Sequence, residues 1–206
     1  VWVRNIYDLY PDFHIDIKEE QEVLLEHNII VWQHPFYWYS CPSLMKEWLD
    51  LVLEHGFAYG REGRALEGKK IMSAITTGGR KETYASDEGV KYSIPQLLAP
   101  FEQTVKLCRM DYLPPFLTQG THLLDSAGIG KAAEHYGRVI RALEVYRQGQ
   151  PFSQAQKKVP SFQSLIIGLT ADRGDLYRRI DRRVDIMIEN GLVKEDEGLV
   201  GSGYCY

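Results

Sequence analysis

No apolar run in this sequence lasts more than a few residues, far short of the ~20 that a bilayer-spanning helix needs. No secretory leader opens the chain either, and its first residue is Val rather than Met. Because that residue already lies in a strand-like run, an upstream segment is expected to precede it. Cysteine is scarce: Cys41, Cys108 and Cys205 stand far apart, which excludes a disulfide framework and a paired thiolate metal site and fits a reduced, cytoplasmic setting. No metal ligands are therefore expected. Positive charge is not in excess, with 24 Lys and Arg against 28 Asp and Glu, so nothing in the overall balance favours a nucleic-acid partner. Internal repeats and low-complexity tracts are absent. What is present, 44% hydrophobic and 25% charged residues over 206 positions, fits one large globular domain or a domain with an appendage.

The charge is uneven along the chain. Residues 1–136 carry 13 basic and 19 acidic side chains, whereas residues 137–206 carry 11 and 9, which hints at two histories. Residues 1–9 read as a strand, broken by Tyr10-Pro11-Asp12. Asp16 is placed to cap a helix that ends at Asn28. Residues 29–32 form an unalternating apolar run, the mark of an interior parallel strand. From Ser43 an amphipathic helix presents Leu44, Met45, Trp48, Leu49, Val52 and Leu53 on one face. A third strand is expected over 71–75, a helix over 94–110, and a short or edge strand at best over 113–118, which contains Pro114-Pro115. A second amphipathic helix covers 132–146. After an irregular stretch at 152–161, residues 165–169 read as another buried strand, and Asp172 as the cap of a charged helix running to Asn190.

Two loops stand out as candidate sites. The first, Gln33-His34-Pro35-Phe36-Tyr37-Trp38-Tyr39-Ser40-Cys41-Pro42, follows a strand and places four aromatics between prolines. Core packing is the plain reading; a wall for a flat heterocycle is the sharper one. The second, Thr76-Thr77-Gly78-Gly79, also ends a strand, and Tyr84 follows it. Paired glycines permit unusual backbone angles and the close approach of a ligand, although a simple turn would explain them alone. One βα unit separates the two loops, so both should line the carboxyl edge of one sheet, where ligands of α/β folds bind.

These two loops, with Asp8-Leu9-Tyr10-Pro11-Asp12-Phe13, Trp48-Leu49-Asp50 and Gly56-Phe57-Ala58-Tyr59, resemble the flavodoxin-like NAD(P)H:quinone oxidoreductases. Within that family they look most like the ancillary flavoproteins of glutathione-regulated potassium-efflux systems. The resemblance covers about residues 1–146. It implies an α/β fold, a flavodoxin-like parallel sheet flanked by helices. It also implies FMN or FAD as cofactor, NAD(P)H as electron donor, a quinone as acceptor and two successive hydride transfers. By position, Pro35, Phe36, Tyr37 and Trp38 would line the flavin ring, and Thr77, Gly78 and Gly79 would contact its pyrimidine edge through the backbone. Tyr84 would stabilise charge on the reduced ring. A homodimer with the site near the interface is implied too, as is a potassium-efflux transporter as partner, at the inner face of the cell membrane or in the cytoplasm. Two departures are visible: no histidine follows Tyr84 within 85–90, and the family's first strand and phosphate-binding loop would precede Val1.

Residues 138–204 resemble something else, tRNA dimethylallyltransferase. The resemblance rests on Arg138-Val139-Ile140-Arg141-Ala142-Leu143-Glu144-Val145-Tyr146, on Ile167-Gly168-Leu169-Thr170 with Asp172-Arg173, and on 176–192. That enzyme's Gly-Lys loop and catalytic aspartate have no counterpart here. Its arginines (Arg178, Arg179, Arg182 and Arg183) interleave with Asp175, Asp181 and Asp185 and read best as a solvated helix face. The expected organisation is therefore a flavodoxin-like domain at 1–146 joined to a segment at 147–206. Two placements of strand 165–169 are open: it fills the vacant central position of the sheet, as in a circular permutant, or the C-terminal portion trails as a helical appendage. A ring site lying wholly before residue 147 should survive removal of the tail. The leading function is a flavin-dependent quinone oxidoreductase, its turnover open to question without the phosphate loop. A tRNA-modifying fragment and a non-catalytic transporter partner are the alternatives.

Overall fold

The computed structural model describes residues 2–84, 90–147 and 164–168, together with helical positions 174, 178, 181, 182, 185, 188 and 189. Its sheet contains β1 (Trp2–Asn5), β2 (Ile29–Pro35), β3 (Lys70–Thr77), β4 (Asp111–Gln119) and β5 (Ser164–Gly168). All pairings are parallel, in the order β1-β5-β2-β3-β4. Around it lie α1 (Ile6–Leu9), α2 (Ile17–Glu26), α3 (Ser43–Val52), α4 (Ile94–Leu97), α5 (Ala99–Leu107) and α6 (Ser126–Arg147). Among the described residues no helix is long and apolar enough to cross a membrane.

The last strand in sequence sits inside the sheet. Leu165 lies opposite both Trp2 and Ile30, and Ile167 opposite both Arg4 and Trp32. Leu165, Ile166 and Ile167 are at most 5% exposed, as the unalternating apolar run requires of a strand covered on both faces. Leu165 and Ile167 join the larger core with Ile6, Trp32, Trp48, Ile71 and Phe101. Ile166 faces the opposite core with Val31, Met72 and Ala74, closed by Ile140 of α6. The filling of the central position, one of the two open placements, is thus found, one residue earlier than 165–169; Leu169 lies outside the described residues.

A buried polar knot ties β1 to the helices on the larger core's side. Glu20 of α2 is fully buried. It accepts from Arg4 Nη2 at 2.6 Å, Tyr10 Oη at 2.7 Å and Trp48 Nε1 at 2.9 Å. Three donors and an opposite charge are what a buried carboxylate requires. Burial and the Glu20 carboxylate hold the Tyr10 phenol above its ordinary pKa, so it remains a donor.

Several boundaries differ from the sequence expectation. Residues 1–9 are not one strand: Asn5 Oδ1 accepts from Tyr7 N at 3.3 Å and starts α1, an N-cap that propensity alone did not reveal. Asp16 does cap α2, accepting from Glu19 N at 3.0 Å, although the helix closes at His27 rather than Asn28. β2 continues past Trp32 through Gln33, His34 and Pro35, and β3 extends from Lys70 to Thr77. The helix expected over 94–110 is two, α4 and α5, divided at Leu98 ahead of Ala99-Pro100. β4 is the edge strand foreseen, but with nine residues. Its register shifts between Met72 and Ala74, opposite Pro114-Pro115, so the two residues without N–H groups sit where the ladder is already broken. Arg178, Asp181, Arg182 and Asp185 are helical and exposed, as expected of a solvated face. Residues 152–161, Asp172 and the tail from 191 lie outside the described residues.

Because β5 lies inside the sheet, ending the chain at residue 147 removes a strand rather than an appendage. Ile167→Ala is expected to lower stability by about 2–5 kcal/mol in urea denaturation, and the chain ended at 147 to lose its cooperative transition. A shortened chain unfolding at the full-length midpoint would show that β5 contributes nothing.

Candidate functional site

The carboxyl ends of β2, β3 and β4 bring the candidate residues together. Pro35, the last residue of β2, lies opposite Thr76 of β3. Phe36 N donates to Thr76 O at 2.8 Å, so the aromatic loop begins bonded to the strand that carries the glycines. The loop then divides. Phe36 packs inward against the core and meets Tyr84 with ring centres 6.4 Å apart. Trp38 points outward, 93% exposed, between the partly exposed Tyr37 and Tyr39. Trp38 and Tyr39 have φ of 49° and 61°, a left-handed backbone costing ~1–2 kcal/mol per non-glycine residue. Tyr37 N to Pro35 O at 3.1 Å and Ser40 N to Tyr37 O at 2.9 Å hold that turn.

The glycine loop works differently from the expectation. Neither Gly78 nor Gly79 has positive φ, so close approach, not an unusual backbone angle, requires them. A Cβ on Gly78 would lie 2.2 Å from His122 Nε2, and one on Gly79 would lie 2.9 Å from Tyr84 Cε2. The side chains of Tyr84 and His122 therefore pack on adjacent glycines. The loop's carbonyls are largely taken. Gly79 O accepts from Thr77 Oγ1 at 2.8 Å and Gly120 N at 2.9 Å, and Thr77 O accepts from Thr121 Oγ1 at 3.2 Å. Among the described residues no protein acceptor takes the N–H of Gly78 or Gly79, leaving two donors for a ligand's polar edge.

His122 was missed by sequence reasoning. It follows Gly120 (φ 67°) in the short 3-10 turn Thr121–Leu123, immediately after β4. The rule that site residues follow strand ends would have found it had the proline-containing β4 been credited as a full strand. Cys41, just beyond the aromatics, is held by burial above its ordinary pKa and is not a poised nucleophile. Among the described residues no cluster of His, Cys, Asp or Glu is arranged to hold a metal.

One residue before Pro35, His34 is 2% exposed. Its Nδ1 lies 3.0 Å from Pro35 O, its ring stacks on Phe101 at 5.8 Å, and its Nε2 has no partner among the described residues. Burial holds this imidazole below its ordinary pKa of 6.5. The aromatic loop thus springs from a neutral, packed histidine.

A family model described as flavodoxin-like fold matches residues 1–140, and one described as IPP transferase matches residues 129–205. The chain belongs to the flavodoxin-like fold family. Among its relatives is the glutathione-regulated potassium-efflux system ancillary protein KefG of Pectobacterium atrosepticum. The two are 48% identical over 137 residues, 66% of this chain and 75% of that protein. Two solved structures are also similar. General stress protein 14 of Treponema denticola, in complex with FMN, has TM-score 0.62 and 40% identity over 67% of this chain and 79% of its own. An NADPH-quinone reductase of P. pentosaceus has TM-score 0.56 and 30% identity over 60% and 73%.

Gly78→Ala should cost about 1–3 kcal/mol through its clash with the imidazole, and His122→Ala should recover most of it. A double-mutant cycle by urea denaturation reads the coupling; strict additivity would separate His122 from the glycine loop. For His34 the unfolded chain binds the proton more readily, so its contribution is complete above pH 6.5 and is lost as pH falls through that value. Stability should decline towards pH 5 by at most ~1.4 kcal/mol per pH unit, and His34→Gln should flatten that slope. An unchanged slope would show that His34 does not carry it.

Proposed function

We propose that this chain is a flavin-dependent NAD(P)H:quinone oxidoreductase acting beside a potassium-efflux system. One observation carries the reading: the aromatic loop and the Gly78-Gly79 loop share an edge through the Phe36 N to Thr76 O bond, with Tyr84 between them. The ring half of a flavin fits the residues present. Pro35, Phe36, Tyr37 and Trp38 offer an apolar flank, and the N–H groups of Gly78 and Gly79 offer donors with Thr77 behind them. When bound, the flavin would supply reversible two-electron hydride chemistry.

The protein's own part is positional. The left-handed turn at Trp38 and Tyr39 keeps an aromatic rim open to solvent, where a nicotinamide and then a quinone could stack. Tyr84 would donate a hydrogen bond at the pyrimidine edge and hold negative charge there. FMN is the favoured form, because a relative 40% identical carries it; FAD is the alternative. A homodimer with the site near its interface belongs to the same proposal, as does the joining of two ancestral pieces near residues 136–138.

The IPP transferase match suggests a tRNA-modifying fragment instead. Its strand β5 is buried in the sheet, which favours a structural use of that segment. A non-catalytic transporter partner would keep the fold without turnover.

Titrating the full chain with FMN should quench flavin fluorescence and shift the visible band, and NADPH should then bleach it until a quinone restores it. Tyr84→Phe should retain binding while slowing turnover by about 100-fold, the low end of general acid–base contributions. Binding without bleaching would favour the regulatory partner, and no binding would remove the oxidoreductase reading.

A further inference from the structure

At the end of β3 successive carbonyls face opposite ways. Thr76 O accepts from Phe36 N at 2.8 Å, on the side of β2. Thr77 O accepts from Thr121 Oγ1 at 3.2 Å, on the side of β4. A trans peptide is planar, and its C=O and N–H point in opposite directions. The Gly78 N–H shares its plane with the Thr77 carbonyl. Holding that carbonyl on the β4 side therefore aims the Gly78 N–H towards β2, whose end carries the aromatic loop. Among the described residues no protein acceptor meets it there.

That direction needs a restraint. Glycine backbone rotates more freely than that of other residues, and Gly78-Gly79 places two glycines together just where β3 has ended at Thr77. The restraint comes from the 3-10 turn Thr121–Leu123 and the Gly120 that precedes it, which meet the loop at three points. Gly120 N donates to Gly79 O at 2.9 Å, an oxygen that Thr77 Oγ1 also reaches at 2.8 Å. Thr121 Oγ1 takes the Thr77 carbonyl. The His122 imidazole covers Gly78, since the three atoms nearest to a Cβ built there all belong to it. With φ of 67°, Gly120 adopts the left-handed backbone that lets the chain leave β4 and turn over the loop. The end of β4 thus acts on the site through the backbone of β3.

We infer that Thr121 is a positioning residue of the ring site: its hydroxyl, by holding the Thr77 carbonyl, aims the Gly78 N–H at an acceptor on the polar edge of the bound ring. This rests on the ring site proposed above and names the group that orients its donor. Thr121 does this without touching the ring. When the hydroxyl is removed, the Thr77 carbonyl is free to turn and the Gly78 N–H turns with it. The ligand then loses an aimed donor, so binding should weaken by about threefold to tenfold, the net contribution of an ordinary hydrogen bond. Thr121→Ser keeps the hydroxyl and should keep the affinity.

The test is an FMN titration of the full chain, followed by flavin fluorescence and by the amide NMR signal of Gly78, in the wild type, Thr121→Val and Thr121→Ser. In the wild type FMN should move the Gly78 amide proton downfield and slow its exchange with water. Thr121→Val, which keeps the shape and loses the hydroxyl, should show a smaller shift and the raised Kd, and Thr121→Ser should restore both. The Gly78 signal is read on folded molecules, so a general loss of stability does not imitate this pattern. A Thr121→Val chain with the wild-type Kd and Gly78 shift would overturn the inference, as would Thr121→Ser as impaired as Thr121→Val. FMN binding that leaves the wild-type Gly78 amide unmoved would overturn it too, with the aromatic side of the ring site still standing. Binding of no FMN would overturn the ring site and this inference with it.

Discussion

Everything in this molecule depends on β5 lying between β1 and β2. A parallel sheet has no cheap vacancy: a missing central strand would leave two rows of backbone donors and acceptors without partners. It would also leave both cores without Leu165, Ile166 and Ile167. The strand that meets this demand comes from the far end of the chain, after the edge strand β4 and the long helix α6. Two family models meet at residues 129–140, within α6, so the switch between them falls inside a helix rather than at a flexible linker. The order β1-β5-β2-β3-β4 thus seats the last described strand between the first and second.

That arrangement explains how the edge is divided. The side formed by β2, β3 and β4 carries the features suited to a flat ring: an inward Phe36, an outward Trp38, two glycines and the flanking Tyr84 and His122. On the side of β1, Arg4 is held by Glu19 and Glu20. Left-handed backbone at Trp38 and Tyr39 is the kind of local strain that persists where a side chain must be displayed rather than buried. The buried Glu20 knot, in contrast, fixes β1 against α2 and α3 and presents nothing to a ligand.

Much of this was legible in the residues. Unalternating apolar runs reported β2, β3 and β5 because strands covered on both faces need them. The apolar stripe from Leu44 to Val52 reported α3, and Asp16 reported the start of α2. What escaped reading shares a cause, since each case needed a tertiary partner. Gln33 and His34 look too polar for an interior strand until Phe101 and the Pro35 carbonyl are seen around the imidazole. Pro114-Pro115 seemed to forbid a long β4, but the register shift opposite them absorbs the lost donors. Asn5 ends a strand and starts a helix by a single cap bond. His122 became visible only once β4 ran far enough to deliver it beside Gly78.

The central claim is that β5 is an integral strand, and amide hydrogen exchange tests it most directly. Ile166 and Ile167 should exchange only through global unfolding, with the same free energy as Val31 of β2 and Met72 of β3. Protection of those two amides far below that of β2 and β3, in a chain otherwise folded, would mean that β5 is a detachable tail and that the sheet stands without it.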